Sequence, residues 1–265
     1  MTALSDALAK CRADGRAALI GYLPVGYPSV GVSIAAMIAL VDGGCDVVEV
    51  GVPYSDPVMD GPTIQAAAEP AVRAGVGIAD ALTAVRAIAD AGAAAVTMTY
   101  WNPVERYGVE RFAADLAASG GSGAITPDLI PDEAAPWIDA SEAHGLDRVF
   151  LVAPSSTDRR IVATAAASRG FVYATALMGV TGARESVGDA AATLVGRVRA
   201  LAPEVPVCVG LGVSSGEQAA HVAAFADGVI VGSALVRKLL DAPDERGVAA
   251  VRGLATELAA GVRRR

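Results

Sequence analysis

Val47 to Gln65 reads V-V-E-V-G-V-P-Y-S-D-P-V-M-D-G-P-T-I-Q. Val47, Val48, Val50 and Val52 are β-branched and apolar, as in a strand covered on both faces. Glu49 interrupts that run. Asp56 and Asp60 follow among prolines and glycines, so the strand gives way to a polar loop. A covered strand that carries an acid needs a reason for it, and the acid's position in the fold decides what that reason is.

Seven further apolar runs share the character of residues 46–50. They are A-A-L-I-G-Y-L (17–23), A-A-V-T-M-T-Y (94–100), G-A-I-T (123–126), R-V-F-L-V-A (148–153), F-V-Y-A-T (171–175), V-P-V-C-V-G (205–210) and D-G-V-I-V-G (227–232). Between them lie Ala-rich stretches with helical spacing, such as Val32 to Val41, Ala79 to Ala91 and Ser214 to Ala224. Strands alternating with helices imply βαβ units and a parallel sheet. Eight such units predict an α/β fold, a closed (β/α)8 TIM barrel, with an extra N-terminal helix at about Ala3 to Cys11. An open doubly wound sheet needs a G-x-G-x-x-G turn after an early strand, whereas P-V-G-Y-P-S follows the first run. No linker, low-complexity tract or charge run divides the chain, so residues 1–265 are expected to form one domain. The closing R-R-R, 263–265, suits a solvated helix C-terminus.

Hydrophobic residues make up 53% of the 265, charged residues 19% and aromatics 5%. A large core of Ala, Val, Leu and Ile follows, and disorder is excluded. A net charge of -8 argues against nucleic acid as the main partner. Cys11, Cys45 and Cys208 form no C-x-x-C pair and read as small buried hydrophobes. The N-terminus lacks the basic start and apolar core of a signal peptide, and the Ala-rich stretches are broken by Asp, Arg and Gly. A cytoplasmic protein with no membrane span is expected.

Barrel enzymes place their chemistry at the C-terminal ends of the strands. Glu49 lies near such an end and shares a face with Val47 and Gly51. If that face is the lumen, Glu49 points into the mouth, and burial favours its neutral form. The alternative is a structural acid paired with an Arg of a neighbouring strand. Asp60 is either a site residue or a turn and helix N-cap former; Asp56, before Pro57, reads as turn chemistry. G-V-T-G (179–182), G-L-G (210–212) and G-S-A (232–234) each follow a late strand. Backbone N–H groups in such loops bind phosphate, and Ser233 adds a hydroxyl. The alternative is that glycine merely ends strands. His144 and His221 fall in helical stretches, so acid–base work falls to carboxylates. No triad is visible, and Asp46, Glu49 and Asp60 lack ligand spacing, so no metal is assigned.

The stretch from Val48 to Gln65 closely resembles the signature of the tryptophan synthase alpha subunit. The resemblance continues through M-T-Y-W-N-P (98–103), P-D-L-I-P-D-E (127–133), L-V-A-P-S-S (151–156), G-F-V-Y (170–173), G-V-T-G-A-R (179–184), G-L-G-V (210–213) and A-D-G-V-I-V-G-S-A (226–234). It covers essentially the whole chain in order. It implies a (β/α)8 barrel that cleaves indole-3-glycerol phosphate to indole and glyceraldehyde 3-phosphate.

On that resemblance the catalytic acids fall on Glu49, a proton shuttle, and Asp60, which accepts the indole N–H. Tyr173 lies beside Glu49; its alternative is a core aromatic. Gly182, Gly212, Gly232 and Ser233 match phosphate-binding positions. Met98, Tyr100, Ile125 and Leu151 line the indole pocket, and Thr181 meets Asp60 when the loops after the second and sixth strands close. The resemblance implies no cofactor in this chain, and a beta subunit carrying pyridoxal phosphate in an alpha2beta2 tetramer. The loop from Tyr54 to Pro57 would face that partner. Met59 stands where a small residue is usual, Leu211 where an aromatic often packs, V-G-Y-P (25–28) where A-G-D-P or similar is usual, and Tyr54 for a frequent Phe. These departures touch pocket shape and partner surface. Another phosphate-binding barrel enzyme is the same-fold rival, but a Schiff-base aldolase needs a strand-end lysine, and Lys10 and Lys238 lie in helical stretches. A catalytically silent activating subunit is a further alternative.

Overall fold

The computed structural model describes residues 1–175, 184–210 and 212–264, with residues 184–187 described as backbone only. Nine parallel strand segments form one sheet: β1 (Ala18–Pro24), β2 (Val47–Gly51), β3 (Ala94–Met98), β4 (Gly123–Ile125), β5 (Asp147–Val149), β6 (Leu151–Val152), β7 (Val172–Thr175), β8 (Val207–Gly210) and β9 (Gly228–Val231). Twelve α-helices surround it in the described residues: α1 (Ala3–Ala13), α2 (Val30–Asp42), α3 (Pro62–Arg73), α4 (Ile78–Asp90), α5 (Trp101–Tyr107), α6 (Val109–Ala118), α7 (Ala135–Ala143), α8 (Asp158–Ala167), α9 (Arg184–Leu201), α10 (Gly216–Ala223), α11 (Ser233–Asp241) and α12 (Glu245–Val262).

The segments run β5-β4-β3-β2-β1-β9-β8-β7-β6 across the sheet. Its two end segments, β5 and β6, are separated in the chain by Phe150 alone. They are two pieces of one strand, so the sheet closes on itself as an eight-stranded barrel. Hydrogen bonding crosses the seam, because the Tyr173 N–H donates to the Phe150 carbonyl at 3.1 Å. The run R-V-F-L-V-A is therefore one strand, as the sequence predicts.

Alternation along each strand sorts side chains into two cores. Leu19, Leu23, Val48 and Val50 face outward and pack under the helix ring with Phe112, Trp137 and Phe150. Ile20, Val47, Val96, Ile125, Val149, Phe171, Cys208 and Ile230 face the lumen. Leu4, Leu8 and Cys11 of α1 join that second core and plug the barrel's N-terminal end. Thr2 caps α1 by accepting from the Ser5 N–H, and Ser29, Thr157 and Ser215 cap α2, α8 and α10 in the same way. The three cysteines are buried and free. No helix of the described residues is long and apolar enough to cross a membrane. With one end plugged, the open end is where the strands point their C-termini.

Candidate active site

Glu49 is the third residue of β2 and belongs to the lumen face with Val47. It is 0% exposed, and neither carboxylate oxygen has a hydrogen-bond partner among the described residues. The alternative of a structural acid paired with Arg is thereby excluded within those residues. Burial pushes the Glu49 carboxyl up to about 8, because the site offers the anion no solvation. At neutral pH the side chain is mainly a neutral acid with a proton to give.

The wall around Glu49 is aromatic and small by turns. Tyr22 of β1 and Val96 of β3 are its neighbours in register. Tyr173 of β7 faces the same lumen beside Leu151 and Cys208. Burial raises both tyrosine hydroxyls well above their ordinary range; the nearby carboxylates, Asp60 and Glu49 for Tyr22 and Glu49 for Tyr173, push the same way. Each ring occupies a notch left by a glycine. A Cβ built on Gly51 would lie 2.7 Å from the Tyr22 ring carbons, and one on Gly210 would lie 2.9 Å from Tyr173 Cζ. Any other residue at either position would displace the ring. Sequence reading missed Tyr22, although alternation from Ala18 and Ile20 already puts it on the lumen face.

Asp60 sits on the loop that follows β2. The Tyr100 hydroxyl donates to Asp60 Oδ1 at 3.0 Å, and itself accepts from the Met59 N–H at 3.0 Å. Gln65 Nε2 donates to the Asp60 carbonyl at 2.7 Å. The loop is thus tied both to the end of β3 and to α3. The N-cap of α3 is Gly61, with no side-chain cap bond, so the capping role weighed for Asp60 is not the one it plays. Burial raises the Asp60 pKa, and the Tyr100 hydrogen bond offsets part of that rise. Tyr100 is 5% exposed and packs on Tyr54, ring centroids 5.2 Å apart. Asp56 is exposed and bonds only with Ser55 among the described residues.

Met98, Ile125 and Leu151 join the lumen cluster on consecutive sectors of the wall, β3, β4 and β6, giving the lumen an apolar side. At the other side, Gly232 is the N-cap of α11 and Ser233 its exposed first residue. The first N–H groups of a helix lack intrahelical partners and attract anions. Gly212 holds φ +72°, a left-handed backbone that favours glycine. Thr181 and Gly182 lie outside the described residues, as do Leu211 and most of the loop expected to close over the mouth. His144 bonds Glu110 at 2.6 Å on the outer helices, and His221 lies on α10, so neither reaches the mouth. Among the described residues no group of three or more His, Cys, Asp or Glu is placed to hold a metal ion.

A closed parallel barrel with two carboxylates of unlike environment at its open end defines an acid–base enzyme of the TIM-barrel class. The family model described as "Tryptophan synthase alpha chain" matches residues 8–262. The tryptophan synthase alpha chain of Thermobifida fusca is 62% identical over 266 residues, covering 99% of this chain and 98% of the relative. That of Mycobacterium marinum is 65% identical over 255 residues, covering 96% and 93%. The structure of tryptophan synthase from M. tuberculosis, in an open form with BRD0059 bound, superposes with a TM-score of 0.91 at 60% identity, covering 99% of both chains. The chain belongs to the tryptophan synthase alpha chain family. Its activity is that family's lyase reaction, the retro-aldol cleavage of indole-3-glycerol phosphate to indole and glyceraldehyde 3-phosphate.

Proposed function

We propose that Glu49 and Asp60 divide the chemistry of this cleavage. Breaking a bond to an aromatic carbon needs somewhere for the electron pair to go. Glu49, held neutral, protonates indole C3, and the ring becomes an indoleninium cation. Asp60 accepts the indole N–H and stabilises that positive charge. Glu49, now a carboxylate, takes the proton from the hydroxyl on the glycerol carbon of the breaking bond. The C=O of the aldehyde forms, the C–C pair returns to the ring, and indole leaves. One acid must start protonated and the other ionised, which two different environments allow.

The observation that carries this reading is the buried Glu49 carboxyl, without a partner among the described residues and pushed by burial up to about 8. Tyr173 tunes that acid from β7. Met98, Tyr100, Ile125 and Leu151 hold the indole ring. Gly182, Gly212, Gly232 and Ser233 hold the phosphate, and Thr181 meets Asp60 as the mouth closes and excludes water.

The chain works as one domain in the cytoplasm and carries no cofactor of its own. Pyridoxal phosphate belongs to a beta subunit, joined in an alpha2beta2 tetramer through the loop from Tyr54 to Pro57. The neighbouring side chains support this surface: Val58 is 76% exposed and Met59 42%, large apolar groups that a partner would cover. The test is indole release from indole-3-glycerol phosphate. The isolated chain is expected to be slow and to speed up on adding a beta subunit. If the mixture made no indole, the assignment of partner and reaction would both fall.

A further inference from the structure

One lumen side chain has no part in the roles above. Tyr22 and Glu49 are register neighbours on adjacent strands, which lie about 4.8 Å apart. Both side chains therefore rise from the wall side by side. The Tyr22 ring then leans over β2 itself, where a Cβ on Gly51 would collide with its hydroxyl. Gly51 is the next lumen-facing residue above Glu49, so the hydroxyl stands over Glu49 on the mouth side. On its other edge the ring lies against the phosphate corner: a Cβ on Gly232 would be 3.2 Å from Tyr22 Cδ1. Tyr173 leans in the same sense around the barrel, from β7 over Gly210 of β8, and so not over β2.

The titratable groups around Glu49 are Tyr22 from β1, Tyr173 from β7 and Cys208 from β8, with Asp60 and Tyr100 beyond Tyr22. Each is neutral or an acid, and no described cation faces the site. When Glu49 gives its proton to the substrate, the charge left behind has hydroxyl donors to answer it and nothing stronger.

We propose that Tyr22 is a positioning residue: its hydroxyl donates a hydrogen bond to the Glu49 carboxylate whenever Glu49 has released its proton. The inference rests on Glu49 being the proton shuttle. The Glu49 O–H proton moves to indole C3, and the O–H electron pair stays on the carboxylate. The freed carboxylate, which accepts from no described residue in this structure, then swings toward the Tyr22 hydroxyl and accepts its hydrogen bond, the proton staying on Tyr22. The bond fixes which oxygen meets the glycerol hydroxyl, and it breaks when Glu49 recovers a proton.

Tyr22→Phe removes one oxygen and keeps the ring that fills the Gly51 notch. An infrared titration of the Glu49 carboxyl band, assigned by its loss in Glu49→Gln, reads the ionisation directly and needs no turnover. In Tyr22→Phe the midpoint is expected to rise by about one pH unit, since a donor to the charged form is gone. The kcat for indole release should fall about tenfold with KM within about twofold, the pattern of an interaction made during the chemistry. 3-Fluorotyrosine at position 22 keeps the shape and makes a stronger donor, so it should move the midpoint down. A midpoint unmoved by both replacements overturns the role of Tyr22 alone. Cleavage by Glu49→Gln at the wild-type rate overturns the shuttle reading, and this inference with it.

Discussion

Asp46 and Glu49 leave the chain three residues apart, just before β2 and in its middle. Asp46 accepts from Arg16 through both guanidinium nitrogens at 2.8 Å and from the Leu19 N–H at 2.9 Å. Glu49 accepts nothing from the described residues. The pattern extends around the barrel. At the plugged end Asp227 accepts from the Val207 N–H and from Arg199, and Asp147 from Thr2 and Ser5. Asp46 and Asp227 each tie a strand edge to its neighbour, and Asp147 ties one to α1. Toward the open end Asp60 accepts from Tyr100, while Glu49 is left without a partner among the described residues, at a cost in stability. The difference separates carboxylates that hold the barrel together from the one proposed as the proton shuttle.

Substituting Glu49 tests the contrast hardest. Glu49→Gln should lower turnover by about a thousandfold or more, the scale of a lost general acid–base group, while substrate binding stays within a few-fold. Steady-state kinetics and calorimetric binding check both halves. The same variant should be more stable than wild type as pH rises. Unfolded, Glu49 ionises near 4.5; folded, near 8. Between those values the unfolded chain releases a proton that the folded chain keeps, so wild-type stability falls across that window. Gln carries no such proton, so the gap should widen from pH 5 to 8, by up to a few kcal/mol. Denaturant midpoints that stay parallel across that range would remove the argument from burial.

Asp60→Asn keeps an acceptor for the Tyr100 hydroxyl but loses the charge. Turnover should drop about a hundredfold with little change in melting temperature, a loss of charge stabilisation rather than of fold. Gly51→Ala pushes the Tyr22 ring off its notch, and a displacement of that size should cost about tenfold to a hundredfold in kcat. Asp46→Asn should leave kcat within about twofold and lower stability by about 2 kcal/mol, between the values for exposed and buried ion pairs. A loss of turnover in Asp46→Asn with unchanged stability would break the division between the two ends.

The strands were legible in the sequence because both faces of a parallel sheet are covered, so each appears as a continuous apolar run. Phe150 shows the limit: the run 148–153 reads as one strand, and the brief gap in pairing that splits it leaves no mark in composition. Glu49 was visible because an acid within an apolar run is conspicuous. The partner of Asp60 was not. Tyr100 lies forty residues further on, and its bond depends on where the loop after β2 meets the end of β3. Alternation puts Tyr22 on the lumen face, but the place its ring fills was hidden for a different reason. Its surroundings are two glycines, and a missing side chain signals a space without saying whose side chain fills it.

Those notches carry a lesson for anyone rebuilding the mouth. Tyr22 with Gly51, and Tyr173 with Gly210, are each one shape written at two places in the chain. A library that varies position 22 or 173 alone samples rings trapped against a fixed floor. One that varies position 51 or 210 alone samples mostly collisions. New pocket shapes will come from randomising the members of each pair together, so the effective unit of redesign here is the couple and not the residue.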